Sequence, residues 1–95
     1  MDSYELSERA KIDLVRIYHY GRRVFGERQA ELYFQQLKEQ FQFIANNPYT
    51  FAAVDEIKSG YRRCVFKSNS IFYIIKSESV EIRAIIGNQD ISSIL

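Results

Sequence analysis

YRRCVFKSNSIFYIIKSESVEIRAIIGNQD, residues 61–90, decides the fold. It holds three apolar runs separated by short polar breaks, Lys67 to Ser70 and then Ser77 to Ser79. The runs are rich in Val, Ile, Phe and Tyr, which pack well on a pleated surface. Val80, Ile82, Ala84 and Ile86 fall on alternate positions while Glu81 and Arg83 point the other way, the period of a half-buried strand. Ile71 to Ile75 is continuously apolar, as a central strand covered on both faces would be. Breaks this short join only antiparallel neighbours, because a parallel pair needs a crossover of about a dozen residues or more. The rest of the chain must then cover one face of this meander. The other face, or its edge, is left for a partner.

Working outward toward the N-terminus, Pro48 to Gly60 reads as a loop with a small apolar patch at Tyr49, Phe51 and Val54. Before it, Ala30, Tyr33, Leu37, Phe41 and Ile44 form the apolar stripe of a helix from about residue 27 to 45. Asn46-Asn47-Pro48 stops that helix, since the residue before proline avoids helical geometry. An earlier helix starts after Ser7, a natural N-cap, with Glu8 in its first turn. Ala10, Leu14, Ile17, Tyr18 and Gly21 mark its inner face, and Arg9, Lys11, Asp13, Arg16 and Arg22 lie mostly off it. Phe25-Gly26 makes a corner, so the two helices form an antiparallel hairpin. Ser3 to Leu6 reads as a brief strand. Ile91 to Leu95 is too short for an element of its own, though its apolar ends can dock.

The expected architecture is α+β: a short N-terminal strand and a helical hairpin packed on a mostly antiparallel sheet of three to four strands, in a single domain over residues 1–95. Leu14, Ile17, Leu37, Phe41, Ile44, Ile71, Tyr73, Ile82 and Ala84 are the expected core.

Composition narrows the function. The chain is 46% hydrophobic, 26% charged and 15% aromatic, which suits a globular domain rather than a disordered one. A formal net charge of +1 does not favour direct binding to nucleic acid, because phosphate-binding chains are usually far more basic. One cysteine, Cys64, permits no internal disulfide. No apolar run approaches membrane-spanning length, and the N-terminus lacks the pattern of a signal peptide, so the expected location is the cytoplasm.

No catalytic constellation stands out. His19 is the single histidine, without a Ser, Cys or carboxylate pattern around it, and one His with one distant Cys makes no metal site. Gly21 and Gly26 are not placed as a phosphate loop. No cofactor is implied. The arginines remain: Arg62 shares a strand face with Cys64 and Phe66, Arg63 shares the other with Tyr61 and Val65, and Arg83 stands on the last strand. They are either solvated charges or a patch that recognises carboxylate or phosphate.

The wording of the chain resembles the ParE branch of the ParE/RelE toxin superfamily. Leu6-Ser7-Glu8-Arg9-Ala10-Lys11-Ile12-Asp13-Leu14 matches the family's Leu-Ser/Thr-x-x-Ala-x-x-Asp-Leu opening. Phe25-Gly26 followed by Gln29-Ala30 fits its helical corner, and Ile44-Ala45-Asn46-Asn47-Pro48 fits its helix end. Asp55-Glu56-Ile57-Lys58-Ser59-Gly60-Tyr61-Arg62 reproduces its loop, Ile71-Phe72-Tyr73 its central strand, and Ile82 to Asp90 its closing strand. The resemblance implies a type II toxin that poisons DNA gyrase without catalysis and is neutralised by a ParD-like antitoxin. The hairpin has more aromatics than one helix-to-sheet contact needs, so Tyr18, Phe25, Tyr33 and Phe34, with Arg62, Arg63 and Arg83 to pair with acids, are the expected antitoxin contacts. The resemblance implies a gyrase-contacting end at Ile86, Gln89 and Asp90. The chain departs from the family at Asn69, where a basic residue or His is common, and at Ile86 and Gln89, where His and Met are common.

The rival is a RelE-like ribosome-dependent messenger ribonuclease on the same fold. That chemistry needs clustered basic groups around the phosphate. Arg62 matches the first of two lysines in the RelE pattern, but Cys64 stands at the second, Ser70 stands where an arginine is expected, and Gln89 replaces the last arginine. A third reading is an antitoxin-binding module that has lost toxicity.

Overall fold

A computed structural model describes residues 2–91. Two helices lie on one face of a five-stranded mixed sheet. In chain order the elements are β1 (Tyr4–Leu6), α1 (Glu8–Phe25), α2 (Glu27–Asn46), β2 (Ala52–Ala53), β3 (Arg62–Phe66), β4 (Asn69–Ile75) and β5 (Val80–Gly87). The sheet order is β1-β5-β4-β3-β2. Strands β2 to β5 pair antiparallel, and β1 pairs parallel to β5, with Tyr4 opposite Val80 and Leu6 opposite Ile82. The helix-hairpin crossover between β1 and the meander permits that one parallel pair. The sheet has one strand more than expected, because Ala52–Ala53, inside the expected loop, pairs with Arg62–Arg63 of β3.

Ser7 caps α1, its Oγ accepting from the Ala10 N–H at 3.1 Å. Gly26, at a φ of 94°, turns the chain from α1 into α2, a conformation that a side chain strains. Between helices and sheet lies the main core: Ala10, Leu14, Leu37, Phe41, Ile44, Ala45, Cys64, Ile71, Tyr73, Val80, Ile82 and Ile85, with Ile17 half-buried at its margin. The Tyr4 ring meets Phe41 at 5.5 Å.

The second sheet face is not open as expected. Residues 54–61 strap it. Val54 N–H bonds the Tyr61 carbonyl at 2.8 Å, and Asp55 accepts from the Gly60 N–H at 2.8 Å where Gly60 turns with a φ of 81°. Val54, Ile57 and Tyr61 cover Phe72, Ala84 and Ile86, and Ile91 packs at the rim. The apolar ends expected beyond Ile91, at Ser92–Leu95, lie outside the described residues.

A bulge in β5 explains why Ala84 and Ile86 belong to this second layer rather than the main core. Phe72 pairs with Ala84, but Tyr73 pairs with Ile82, so Arg83 is the extra residue. One extra residue flips every later side chain to the other face. Val80 and Ile82 therefore point to the helices, Ala84 and Ile86 point away, and Ile85 takes the helix side.

Candidate functional site

Strand β1 covers the outer edge of β5 only as far as Ile82, and α1 takes over from there. Ser7 N–H bonds the Ile82 carbonyl at 3.0 Å, and Ser7 Oγ donates to the Arg83 carbonyl at 3.0 Å. Asp13 Oδ2 accepts from the Ile85 N–H at 2.9 Å, and Arg16 donates to the Ile85 carbonyl at 3.2 Å. Asp13, expected mostly off the inner face, is only 7% exposed, held between Arg9 and Arg16 at 3.6 Å each. The polar positions of α1 thus finish the sheet edge, which would otherwise be a template for unwanted pairing.

Helix α1 also carries large apolar groups that the core does not use. Ile12 is 66% exposed and Phe25 67%, and Val15, Tyr20 and Val24 are also exposed. Tyr20 and Phe25 stack on each other, rings 6.5 Å apart and 3° from parallel. Arg9, Lys11, Arg16, Arg22 and Arg23 make this helix strongly basic against Glu8 and Asp13. Ile12 and Val15, one turn apart, share the outward face of α1 with Arg9 and Arg16. Sequence reasoning passed over Ile12 and Val15. The available signal was that they interrupt the polar side of α1 and sit off its core stripe.

The expected contact aromatics divide. Phe25 is on the surface. Tyr18 and Phe34 are half-buried and meet edge-on at 6.0 Å, joining the two helices. Tyr33 stacks on Phe66 at 6.0 Å and accepts from Asn69 Nδ2 at 2.7 Å. Burial pushes the Tyr33 hydroxyl up, against hydrogen bonds with Asn69 and Ser68 that pull it down.

The three arginines do not converge. Arg62, on the helix side, donates to the Phe51 carbonyl at 2.7 Å and lies 5.0 Å from the Tyr49 ring centre. Arg63, on the strapped side, donates to Ser70 Oγ at 2.9 Å beside the Phe72 ring. Arg83 pairs with Glu81 at 2.7 Å and donates to the Tyr61 hydroxyl at 3.1 Å, and these hydrogen bonds raise its pKa. Cys64 is fully buried under α2, where Gln40 donates to its Sγ at 3.2 Å, and burial pushes the thiol up.

At the far end of the hairpin, a cleft of about 720 Å³ runs between Tyr20, Phe25 and Tyr33 on one side and the turns at Lys67–Ser68 and Gly87–Asp90 on the other. It brings Phe25 and Tyr33 together with Gln89 and Asp90, which are exposed. Ile86 does not join them at the surface. Its side chain is 1% exposed within the second layer, so it supports that end from beneath.

The sequence model of the ParE toxin of the type II toxin–antitoxin system parDE matches residues 4–91. The chain belongs to the ParE toxin family. It is 37% identical over 73 residues to Toxin ParE1 of Caulobacter vibrioides, covering 77% of this chain and 76% of that one. Toxin ParE1 of Mycobacterium tuberculosis is 35% identical over 75 residues, covering 79% and 76%. Among solved structures, the chromosomal ParDE toxin–antitoxin system from P. aeruginosa has the same fold, with a TM-score of 0.79 at 21% identity over 92% of this chain and 96% of the other. In this ParE chain the shared opening now has physical content: Ser7 and Asp13 hold the β5 edge, and Ala10 and Leu14 fill the core. The ParE loop is the strap that Asp55, Ile57, Gly60 and Tyr61 build over the second face.

Among the described residues no three of His, Cys, Asp and Glu are placed to hold a metal ion, and no helix is long and apolar enough to cross a membrane.

Proposed function

We propose that this ParE-family chain is a cytoplasmic toxin that disables DNA gyrase by binding it, without catalysis, and that a ParD-like antitoxin neutralises it. The observation that carries the non-catalytic half is the position of Cys64. At the place of a catalytic lysine in the RelE pattern, its side chain is buried against Gln40 on α2, so that position faces the core and not a substrate. Arg62, at the other lysine position, is held by the Phe51 carbonyl. Catalysis of phosphoryl transfer needs preorganised cations around one phosphate, and each missing donor of that kind costs about 2.7–4 kcal/mol. The antitoxin half rests on the exposed apolar groups Ile12 and Val15, which share the outward face of α1 with Arg9 and Arg16. An acidic tail that folds into an amphipathic helix fits that chemistry.

Two assays run side by side decide the target: supercoiling by purified gyrase, and messenger cleavage on translating ribosomes. Inhibited supercoiling with intact messenger is the expected result. Cut messenger with unaffected gyrase overturns the proposal in favour of the ribonuclease. Calorimetry with the ParD-like antitoxin should show micromolar or tighter binding and a large negative heat-capacity change, the mark of coupled folding. No binding removes the antitoxin.

A further inference from the structure

Arg9, Arg16 and Arg23 recur at seven-residue intervals along α1, with Ile12 and His19 three residues after the first two. Seven residues make nearly two helical turns, so these five side chains form one stripe about 21 Å long. Ile12, Arg16, His19 and Arg23 are exposed, and Arg9 keeps 40% of its side chain exposed. Val15, also exposed, flanks the stripe. Asp13 holds its upper end in place, with one carboxylate oxygen 3.6 Å from Arg9 Nε and the other 3.6 Å from Arg16 Nη2. Arg23 lies over the Tyr20 ring, 5.8 Å from its centre. Positive charge is in excess toward the lower end, since residues 14–26 hold three arginines and no Asp or Glu.

Charge and spacing together say what fits this stripe. Successive arginines stand about 10 Å apart along the helix axis. An extended chain covers that distance in about three residues, and its side chains alternate, so it cannot set successive acids on one face at that interval. A second helix lying along α1 repeats at the same seven residues. It can set a carboxylate against each arginine and an apolar residue against Ile12 and Val15. A second copy of this chain is a poor occupant, because it would bring its own arginines to these. We propose that Arg9, Arg16 and Arg23 are a charge ladder that selects a partner helix of at least two heptads, lying along α1, with Asp or Glu at every seventh residue. The inference rests on the reading that an acidic tail neutralises this chain by folding on α1. To that reading it adds the spacing of the acids and the residues that select them.

The test uses the full chain with Arg16→Glu, Arg23→Glu and, as an equal change of charge on α2, Arg28→Glu. Calorimetry is run with the ParD-like antitoxin and with two synthetic peptides of identical composition, each about 18 residues long and rich in helix formers. One peptide carries glutamate at every seventh residue, and the other carries the same glutamates at every fifth. Arg23→Glu should weaken antitoxin binding about tenfold or more and Arg28→Glu less than about twofold, with both melting temperatures at the parent value. The parent should bind the seven-spaced peptide about tenfold more tightly than the five-spaced one, and Arg23→Glu should erase that preference. Arg16 also donates to the Ile85 carbonyl, so should Arg16→Glu fail to fold, Arg23→Glu decides. Equal losses in Arg23→Glu and Arg28→Glu overturn the ladder, because net charge alone would then be acting. So does equal binding of the two peptides, or binding to phosphatidylserine vesicles that Arg23→Glu abolishes while the peptides stay undistinguished, which assigns the stripe to a lipid surface. An antitoxin that binds parent and variants alike refutes the ladder and leaves the antitoxin reading standing. An antitoxin that does not bind the parent refutes that reading, and the peptides still decide the ladder.

Discussion

The carboxylate of Asp13 holds the backbone N–H of Ile85 at 2.9 Å, joining the first helix to the last strand across 72 residues of sequence. Replacing Asp13 by alanine leaves that buried N–H without its acceptor, which costs about 1–3 kcal/mol. Urea melts of Asp13→Ala against the parent measure it. A change inside experimental error would mean that water replaces the carboxylate.

Phe41 is fully buried between Tyr4 and the sheet. Phe41→Ala should lower stability by roughly 3–5 kcal/mol, the usual range for emptying such a site. A loss below about 1 kcal/mol in the same melts would show that α2 faces the sheet differently.

Tyr73 reports alkaline unfolding. Its hydroxyl donates to the Pro48 carbonyl at 2.6 Å, and burial pushes its pKa from 10.0 to about 12. The folded value is the higher one, so the stability it contributes is complete below pH 10 and is lost as pH rises toward 12. Tyr73→Phe should flatten stability over that window, while costing about 0.5–1.5 kcal/mol at neutral pH for the lost hydrogen bond. An equally steep alkaline fall in the variant would assign the effect to another group.

Cys64 should resist thiol reagents in the native protein, since it is buried and its thiol is pushed up. The labelling rate should rise with urea in step with unfolding. Rapid labelling in buffer would reveal local opening of α2 over β3.

Ile86→His tests the second layer. An imidazole there loses the packing with Phe72 and Ala84 and buries a polar ring, at a cost of about 1–3 kcal/mol. Burial depresses a histidine's folded pKa, so the variant should weaken further as pH falls below about 6.5. A stability independent of pH between neutral and mildly acid conditions would place residue 86 at the surface.

Most of the fold was legible because helical and strand periods are local. The stripe Leu37, Phe41, Ile44 and the run Ile71 to Ile75 name their elements and their burial without tertiary knowledge. The strand Ala52–Ala53 was not legible, since two alanines carry no period and β3 alone makes them a strand. The alternation of Val80, Ile82, Ala84 and Ile86 misled, because a bulge leaves the letters unchanged while reversing the faces after Arg83. The structure brings Phe25, an expected antitoxin contact, to the same cleft as Gln89 and Asp90, an expected gyrase end, a grouping the linear order does not show. The bulge also puts Ile86 on the strapped face rather than on the face of Val80 and Ile82. A hydrogen bond from the Ser70 hydroxyl to Asn88 joins residues 18 apart that only the register brings together, so nothing in the linear order announces it.

The parallel pairing of Tyr4 with Val80 also sets a timetable for the ribosome. The helical hairpin is synthesised early, but β1 has no neighbour until β5 has been made, and Asp13 has no Ile85 to hold. Local helices form within about a microsecond, whereas chain elongation takes about a second for every 5–20 residues. Until residues 47–87 have been added, the helical hairpin has no finished sheet to cover its Phe41 side. The turns at Lys67–Ser68 and Gly87–Asp90, which Asn88 ties together, take shape only after residue 90 has been added. That end of the molecule is thus the last to be fixed, after the helices that it faces.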